Sequence, residues 1–349
     1  MSFKKLSIGH LKPTFPVIQG GMGIGISLHS LAGHVAACGG IGILSGVQIG
    51  YRESDFITNT LGANLRALEK EITGARNLAP QGIVGVNLMV AMKNYAELVK
   101  KAVSCKIDLI ISGAGLPLEL PSFIKGSSTQ IAPIVSSGKA ASVICRMWDK
   151  RYQYAPDCIV VEGPLAGGHL GFSPDDVVKE ENVLDIVKDV KKVAAEYEAK
   201  YKKAIPVIAA GGIYTGGDVA YALENGADGV QMGTRFVTTY ECDAPLIYKE
   251  AYIACSKEDI GIIKSPVGMP GRAILNDFIK TPPGNTNCLY HCIHKCNVTS
   301  IPYCISKALI AAASGDTNNA LLFCGSNAYK ASKLEHVEDI FREISLSLS

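Results

Sequence analysis

His169 follows a glycine pair in the run EGPLAGGHLG, residues 162–171. An imidazole is the side chain best suited to moving protons near neutral pH, and the preceding glycines leave room for a ligand beside it. The plainer alternative is a loop histidine bonded to a backbone carbonyl. Glu162 closes the apolar run before this loop and could accept a ligand hydroxyl or pair with a neighbouring cation. Asn87 lies inside another apolar run, IVGVNLMV at 83–90. A buried amide needs partners, which either the edge of a ligand or a core hydrogen bond would supply. His10, His29, His34 and His336 sit in terminal or helical segments and read as structural or solvated.

The stretch 205–236 carries glycine turns at 211–212, 216–217 and 233. Such turns let backbone N–H groups approach an anion, and a helix N-terminus adds about half a positive charge. A generic βαβ unit with glycines for tight packing is the alternative. Elsewhere Cys288, Cys292, Cys296 and Cys304 form C-x3-C-x3-C-x7-C, with His291 and His294 interleaved. Four thiols this close could hold zinc or an iron–sulfur cluster, the latter serving as an electron relay beside a redox cofactor. Otherwise they are free thiols on a loop and helix. Cys324, in FCGSNAY, reads as a lone buried thiol.

The elements that must position these groups alternate regularly. Strand-like apolar runs begin near 16, 41, 83, 108, 131, 158, 205 and 229, each followed by a helical or turn-rich segment. Strict alternation implies a parallel sheet, and an anion site after the last two of eight units implies a closed TIM (β/α)8 barrel rather than an open doubly wound sheet. Ser27 is expected to cap a first helix. Ser173-Pro174 opens a charged helix running to about 203, and a helix near 243–256 closes the eighth unit. The barrel therefore spans 1–256. The appendage, 257–349, contains a Pro/Gly-rich loop at 262–274, the cysteine-rich segment, and helices near 303–313 and 330–347. At the C-terminal strand ends this arrangement collects Gly20, Gly21, Met22, Asn87, Ser112, Ser136, Ser137, Glu162, Gly211, Gly212, Gly233 and Thr234. Such a mouth, rich in backbone donors and poor in charge, suits a flat polar cofactor with one phosphate better than a metal-assisted hydrolase.

Composition narrows the partners. Hydrophobic residues make up 48% of the 349-residue chain, with 36 glycines, as a large buried parallel sheet requires. A net charge of +2 gives no reason to expect nucleic acid or an anionic membrane surface. No run is long and apolar enough to span a bilayer. The segment before Pro13 has no apolar core, so no signal peptide is expected. Eleven cysteines then argue for a reducing, cytoplasmic setting.

Taken together, VIQGGMG, GVNLMV, EGPLAGGHLG, AAGGI and QMGTRF, in this order across roughly residues 10–275, resemble the nitronate monooxygenase (2-nitropropane dioxygenase) family, which is close to the flavin-dependent enoyl-ACP reductases. The resemblance implies a TIM barrel carrying non-covalent FMN. Asn87 would contact the ring system, with Gly21 and Met22 lying against it by main chain. Glu162 and Gly167 would line the ring and ribityl side. Gly212 and the run Gln231, Met232, Gly233 and Thr234 would hold the phosphate. His169 matches the catalytic histidine, the base that takes the α-proton of a nitroalkane before flavin and O2 complete its oxidation to a carbonyl compound and nitrite. The alternative the resemblance leaves open is an NAD(P)H-dependent enoyl-thioester reductase. Glu162 is a departure here, because the monooxygenases carry glutamine at this position and the enoyl reductases glutamate. Where many relatives place a lysine near the flavin, this chain has Ser136-Ser137-Gly138. A third reading is a phosphate-binding sensor or scaffold. Either enzyme would take a small-molecule substrate, and both are compatible with a homodimer.

Overall fold

The computed structural model describes all residues except 1–4, 180, 285–287, 289, 291, 295 and 298–300. Its strands are β1 Val17–Gln19, β2 Ile41–Ser45, β3 Ile83–Met89, β4 Leu109–Gly113, β5 Gln130–Val135, β6 Ile159–Glu162, β7 Gly168–His169, β8 Val207–Ala210, β9 Gly229–Met232, β10 Ile260–Lys264 and β11 Pro270–Ile274. The helices are α1 His29–Ala37, α2 Thr60–Leu78, α3 Tyr95–Ser104, α4 Leu120–Phe123, α5 Gly138–Tyr152, α6 Pro174–Val178, α7 Val183–Tyr201, α8 Gly216–Glu224, α9 Thr234–Val237, α10 Leu246–Ala254, α11 Asp277–Lys280, α12 Ile305–Ala313 and α13 Val337–Leu348. Eight parallel strands, β1 to β6 with β8 and β9, close into a barrel through pairing of Ile18 with Gln231. The expected (β/α)8 fold is the observed one.

Alternation along each strand divides the core in two. Ile18, Ile41, Ile43, Leu109, Ile111, Val160 and Ile208 fill the barrel interior, and Leu6, Ile8 and Leu11 of the N-terminal segment join this cluster. Val17, Leu44, Val84, Val86, Val161, Val207 and Val230 face outward into the larger layer between sheet and helices. Inward and outward sets differ by one residue, as a period of two demands.

Several local expectations are corrected. The stretch 262–274 is not a loop: β10 and β11 form an antiparallel hairpin that adds β7 as a third strand, with Gly271 opposite His169 and Arg272 opposite Gly168. Ser27 does not cap α1. Its hydroxyl accepts from Met22 N–H at 2.8 Å and donates to Met22 O at 3.1 Å, which closes the first glycine turn. Asp243, 215 residues beyond Leu28, caps α1 by accepting from the N–H groups of Leu28 at 2.8 Å and Leu31 at 3.1 Å. Ser173 caps as expected, but the helix stops at α6, and Asn182 starts α7 with its own side-chain cap.

The eighth position in the helical ring also differs. A helix does form at 246–254, yet α13 packs between α8 and α1, the place that completes the eighth unit. Glu343 of α13 ties it there, accepting from Gly216 N–H at 2.8 Å and pairing with Arg235 at 2.9 Å.

Candidate functional site

At the C-terminal face of the barrel lies a cavity of about 280 Å³, far larger than a bound water requires. Every barrel strand reaches it: Gly20 after β1, Ser45, Asn87, Gly113, Ile134, Glu162, Ala210 and Gln231. The predicted residues Gly21, Met22, Asn87, Glu162, Gly167, His169, Gly212, Gln231, Gly233 and Thr234 all line this one space. Met232 does not. Its side chain alternates outward into the helix layer, and it serves the site through its carbonyl, which accepts from Gly20 N–H at 2.8 Å. Ser112, Ser136 and Ser137 also fall away from the mouth. Ser112 bonds Tyr95 Oη at 2.8 Å, Ser136 donates to Gly171 O at 2.7 Å, and Ser137 caps α5.

The turns are shaped for close approach. Gly212 has φ +80°, and a Cβ there would lie 3.0 Å from Leu165 Cδ1. At Gly21 a Cβ would lie 2.5 Å from Asn87 Cβ. The second glycine pair, Gly216-Gly217, opens α8, but that terminus is already satisfied. Thr215 and Asp218 form a capping box, and Glu343 takes the Gly216 N–H. The anion-binding capacity expected of it therefore belongs to the ends of β8 and β9.

A segment expected only to bury the Cys324 thiol completes this corner. Phe323 to Asn327 lines the cavity and ties three loops together. Gly325 N–H donates to Thr234 Oγ1 at 3.0 Å, Asn327 Nδ2 to Gly212 O at 2.7 Å, and Ser326 N–H to Leu165 O at 3.2 Å. The Gly-Ser-Asn run at 325–327 was its available signal, since such residues favour turns. Arg272 is also part of the frame. Buried at 5% exposure, it donates through Nη1 to Pro164 O at 2.6 Å and Ala166 O at 2.8 Å, holding the loop that carries Gly167 and His169.

The electrostatics are those of a nearly uncharged site. Among the described residues no lysine or arginine lines the cavity. Burial alone pushes the Glu162 carboxyl up to about 7, so it is partly protonated at neutral pH. Burial pushes His169 down to about 4, so its imidazole is neutral there. The ring is fixed on two sides: Nε2 lies 2.7 Å from Ser265 Oγ, and the Phe323 ring meets it edge-on at 4.9 Å. Gln231 supplies a test of whether a polar ligand belongs here. Its Oε1 is buried without a hydrogen-bond partner while the residue lines the cavity, so an acceptor is left over. Glycine turns, a spare amide oxygen and backbone donors without a nearby cation fit a flat heterocycle bearing a phosphate.

The cysteine expectation gains no support. Among the described residues no three His, Cys, Asp or Glu side chains are grouped to hold a metal ion, and His291 lies outside those residues. Cys304 is buried at the N-cap of α12, and Cys292 turns its thiol to Ser306 Oγ at 3.0 Å on the cavity wall. Cys288 and Cys296 are half-buried free thiols. No described helix is long and apolar enough to cross a membrane.

Comparison with known proteins agrees with this geometry. The sequence profile described as nitronate monooxygenase matches residues 4–346. A probable nitronate monooxygenase of Staphylococcus aureus (strain Newman) is 29% identical over 305 residues, covering 76% of this chain and 77% of its own length. The (3aS,4S,5R,7aS)-5-hydroxy-7a-methyl-1-oxo-octahydro-1H-indene-4-carboxyl-CoA dehydrogenase of Rhodococcus jostii (strain RHA1) is 28% identical over 266 residues, 76% of this chain; the match spans 64% of that relative, slightly under two thirds of its length. The solved structure of FabK from Thermotoga maritima superposes with a TM-score of 0.73 at 25% identity, covering 96% of this chain and 93% of that one. With a profile match over almost its whole length and the family's motifs gathered on one barrel face, the chain belongs to the nitronate monooxygenase family of oxidoreductases.

Proposed function

We propose that the chain is an FMN-dependent nitronate monooxygenase that oxidises alkyl nitronates with O2 to a carbonyl compound and nitrite. One observation carries the reading: His169, Asn87, Glu162, Gln231 and the glycine turns after β1, β8 and β9 line a single cavity at the C-terminal face. FMN, when bound, supplies the electron acceptor that passes substrate electrons to O2. Asn87 would offer its amide to the ring system, with the main chain at Gly21 and Met22 against the ring, Glu162 and Gly167 along the ring and ribityl side, and Gln231 in the run that would hold the phosphate. The turns at Gly212, Gly233 and Thr234 hold the phosphate through backbone N–H groups, as a site without lysine or arginine requires.

His169 touches the substrate. For a neutral nitroalkane it would be the base, but with its affinity for a proton lowered from the ordinary 6.5 to about 4, that role is handicapped by about 3 kcal/mol. A nitronate arrives already deprotonated and needs no base.

The second reading, an NAD(P)H-dependent enoyl-thioester reductase, is favoured by Glu162, whose carboxyl at about 7 is available as a proton carrier beside the site. The two separate on one experiment. Purified yellow protein is mixed without oxygen with ethyl nitronate, and in parallel with NADH or NADPH. Bleaching of the flavin band by the nitronate alone is the expected result. Rapid bleaching by the nicotinamide alone assigns the reductase, and a colourless protein that takes up no FMN refutes both.

A further inference from the structure

His169 reaches the cavity from a strand of two residues, so something outside β7 must orient its ring. The β10–β11 hairpin does this. Ser265 begins its turn, with its N–H donating to Met269 O at 3.0 Å and its carbonyl accepting from Gly268 N–H at 2.9 Å. On the adjacent strand Leu170 N–H donates to Pro270 O at 2.9 Å, one residue from the His169–Gly271 pairing. Backbone on both sides therefore fixes the 2.7 Å contact between Ser265 Oγ and His169 Nε2.

The direction of that hydrogen bond follows from the serine. Ser265 is 2% exposed, so its hydroxyl proton has no recourse to bulk water. Its oxygen already accepts from Val267 N–H at 3.4 Å. Among the described residues, the acceptor within reach of its proton is His169 Nε2. A hydroxyl carries one donor, and a neutral imidazole carries its single proton on one nitrogen or the other. If Ser265 donates to Nε2, the proton sits on Nδ1. Among the described residues that atom has no hydrogen-bond partner, and His169 lines the cavity.

We propose that Ser265 is a positioning residue that donates to Nε2 and so holds His169 as the Nδ1–H tautomer, a hydrogen-bond donor to an anionic substrate oxygen rather than a base. The inference rests on the reading that substrate reacts beside His169. It names the substrate class more closely: a molecule that arrives with negative charge on oxygen, such as a nitronate, or gathers it there during reaction. The base implied by the resemblance is the opposite tautomer. Depression of the imidazole toward about 4 agrees with a ring that stays neutral through the cycle.

The test is imidazole ¹⁵N NMR on the full-length, flavin-loaded protein at pH 7, with histidine labelled and His169→Gln used to assign its signals. Nδ1 in the protonated range and Nε2 in the unprotonated range are expected, with the two ranges averaging in Ser265→Ala and returning in Ser265→Thr. A proton on Nε2 in the unaltered protein overturns the proposal. Turnover of ethyl nitronate gives the second arm. Ser265→Ala should lower kcat at least about tenfold, because a misdirected donor forfeits part of an interaction worth on the order of 10² in rate. In a His169→Ala background the same change should cost nothing further. A full additional loss there shows that Ser265 acts elsewhere and sinks the idea. If the unaltered protein ignores ethyl nitronate, the proposed function falls while the NMR result still decides the tautomer.

Discussion

Replacing Glu162 by glutamine should stabilise the flavin-free protein, and the gain should depend on pH in a defined way. Burial lifts the carboxyl from its ordinary 4.5 to about 7. Between those values the folded chain holds a proton that the unfolded chain has released. Stability then falls as pH rises across the window, because the native state binds more protons. At 1.36 kcal/mol for each tenfold change in proton affinity, the whole effect is about 3 kcal/mol. Glutamine keeps the shape and has nothing to ionise. Glu162→Gln should therefore match the unaltered protein near pH 4.5, gain steadily above it, and lead by about 3 kcal/mol beyond pH 7.5. Urea unfolding of flavin-stripped protein at half-unit pH steps measures the difference. A difference that stays flat from pH 4.5 to 7.5, or a variant less stable at pH 7, refutes the claim that this carboxyl is desolvated without a compensating partner.

Two further changes test the frame of the site. Gly212→Val should lower FMN content of the purified protein, since φ +80° strains any branched residue and the new Cβ meets Leu165 at 3.0 Å; absorbance after gel filtration reads it, and unchanged flavin would contradict the phosphate corner. Glu343→Ala frees the Gly216 N–H and one partner of Arg235, and should cost roughly 1–2 kcal/mol in urea unfolding while FMN affinity stays the same; an unaltered midpoint would mean that α13 is not held as the eighth helix.

The barrel was legible because its signals are local. Apolar runs of strand length, spaced by helical segments, are set by a two-residue period and by glycine at the turns, and neither requires knowledge of distant chain. The same holds for Ser173 at the start of α6 and for the cavity-lining glycines. Local pattern and structure part where distant residues compete for the same local group. Ser27 looks like a helix cap, but Asp243 arrives from 215 residues away to take the N–H groups, leaving the serine to close a turn. Gly216-Gly217 looks like an anion site, but Glu343 already occupies it.

What the amino-acid order determined by itself was the repeating unit, the closed sheet it builds, and most of the residues that line its mouth. What only the tertiary structure decided was how those side chains are held. A two-residue strand such as Gly168–His169 has no periodicity to detect, and it exists because a hairpin 100 residues later pairs with it. The serine that orients the histidine, the turn at 325–327 that links three loops, and the helix that completes the ring all come from the last third of the chain. Their roles depend on contacts across large sequence separations, and such pairings leave no mark in local sequence.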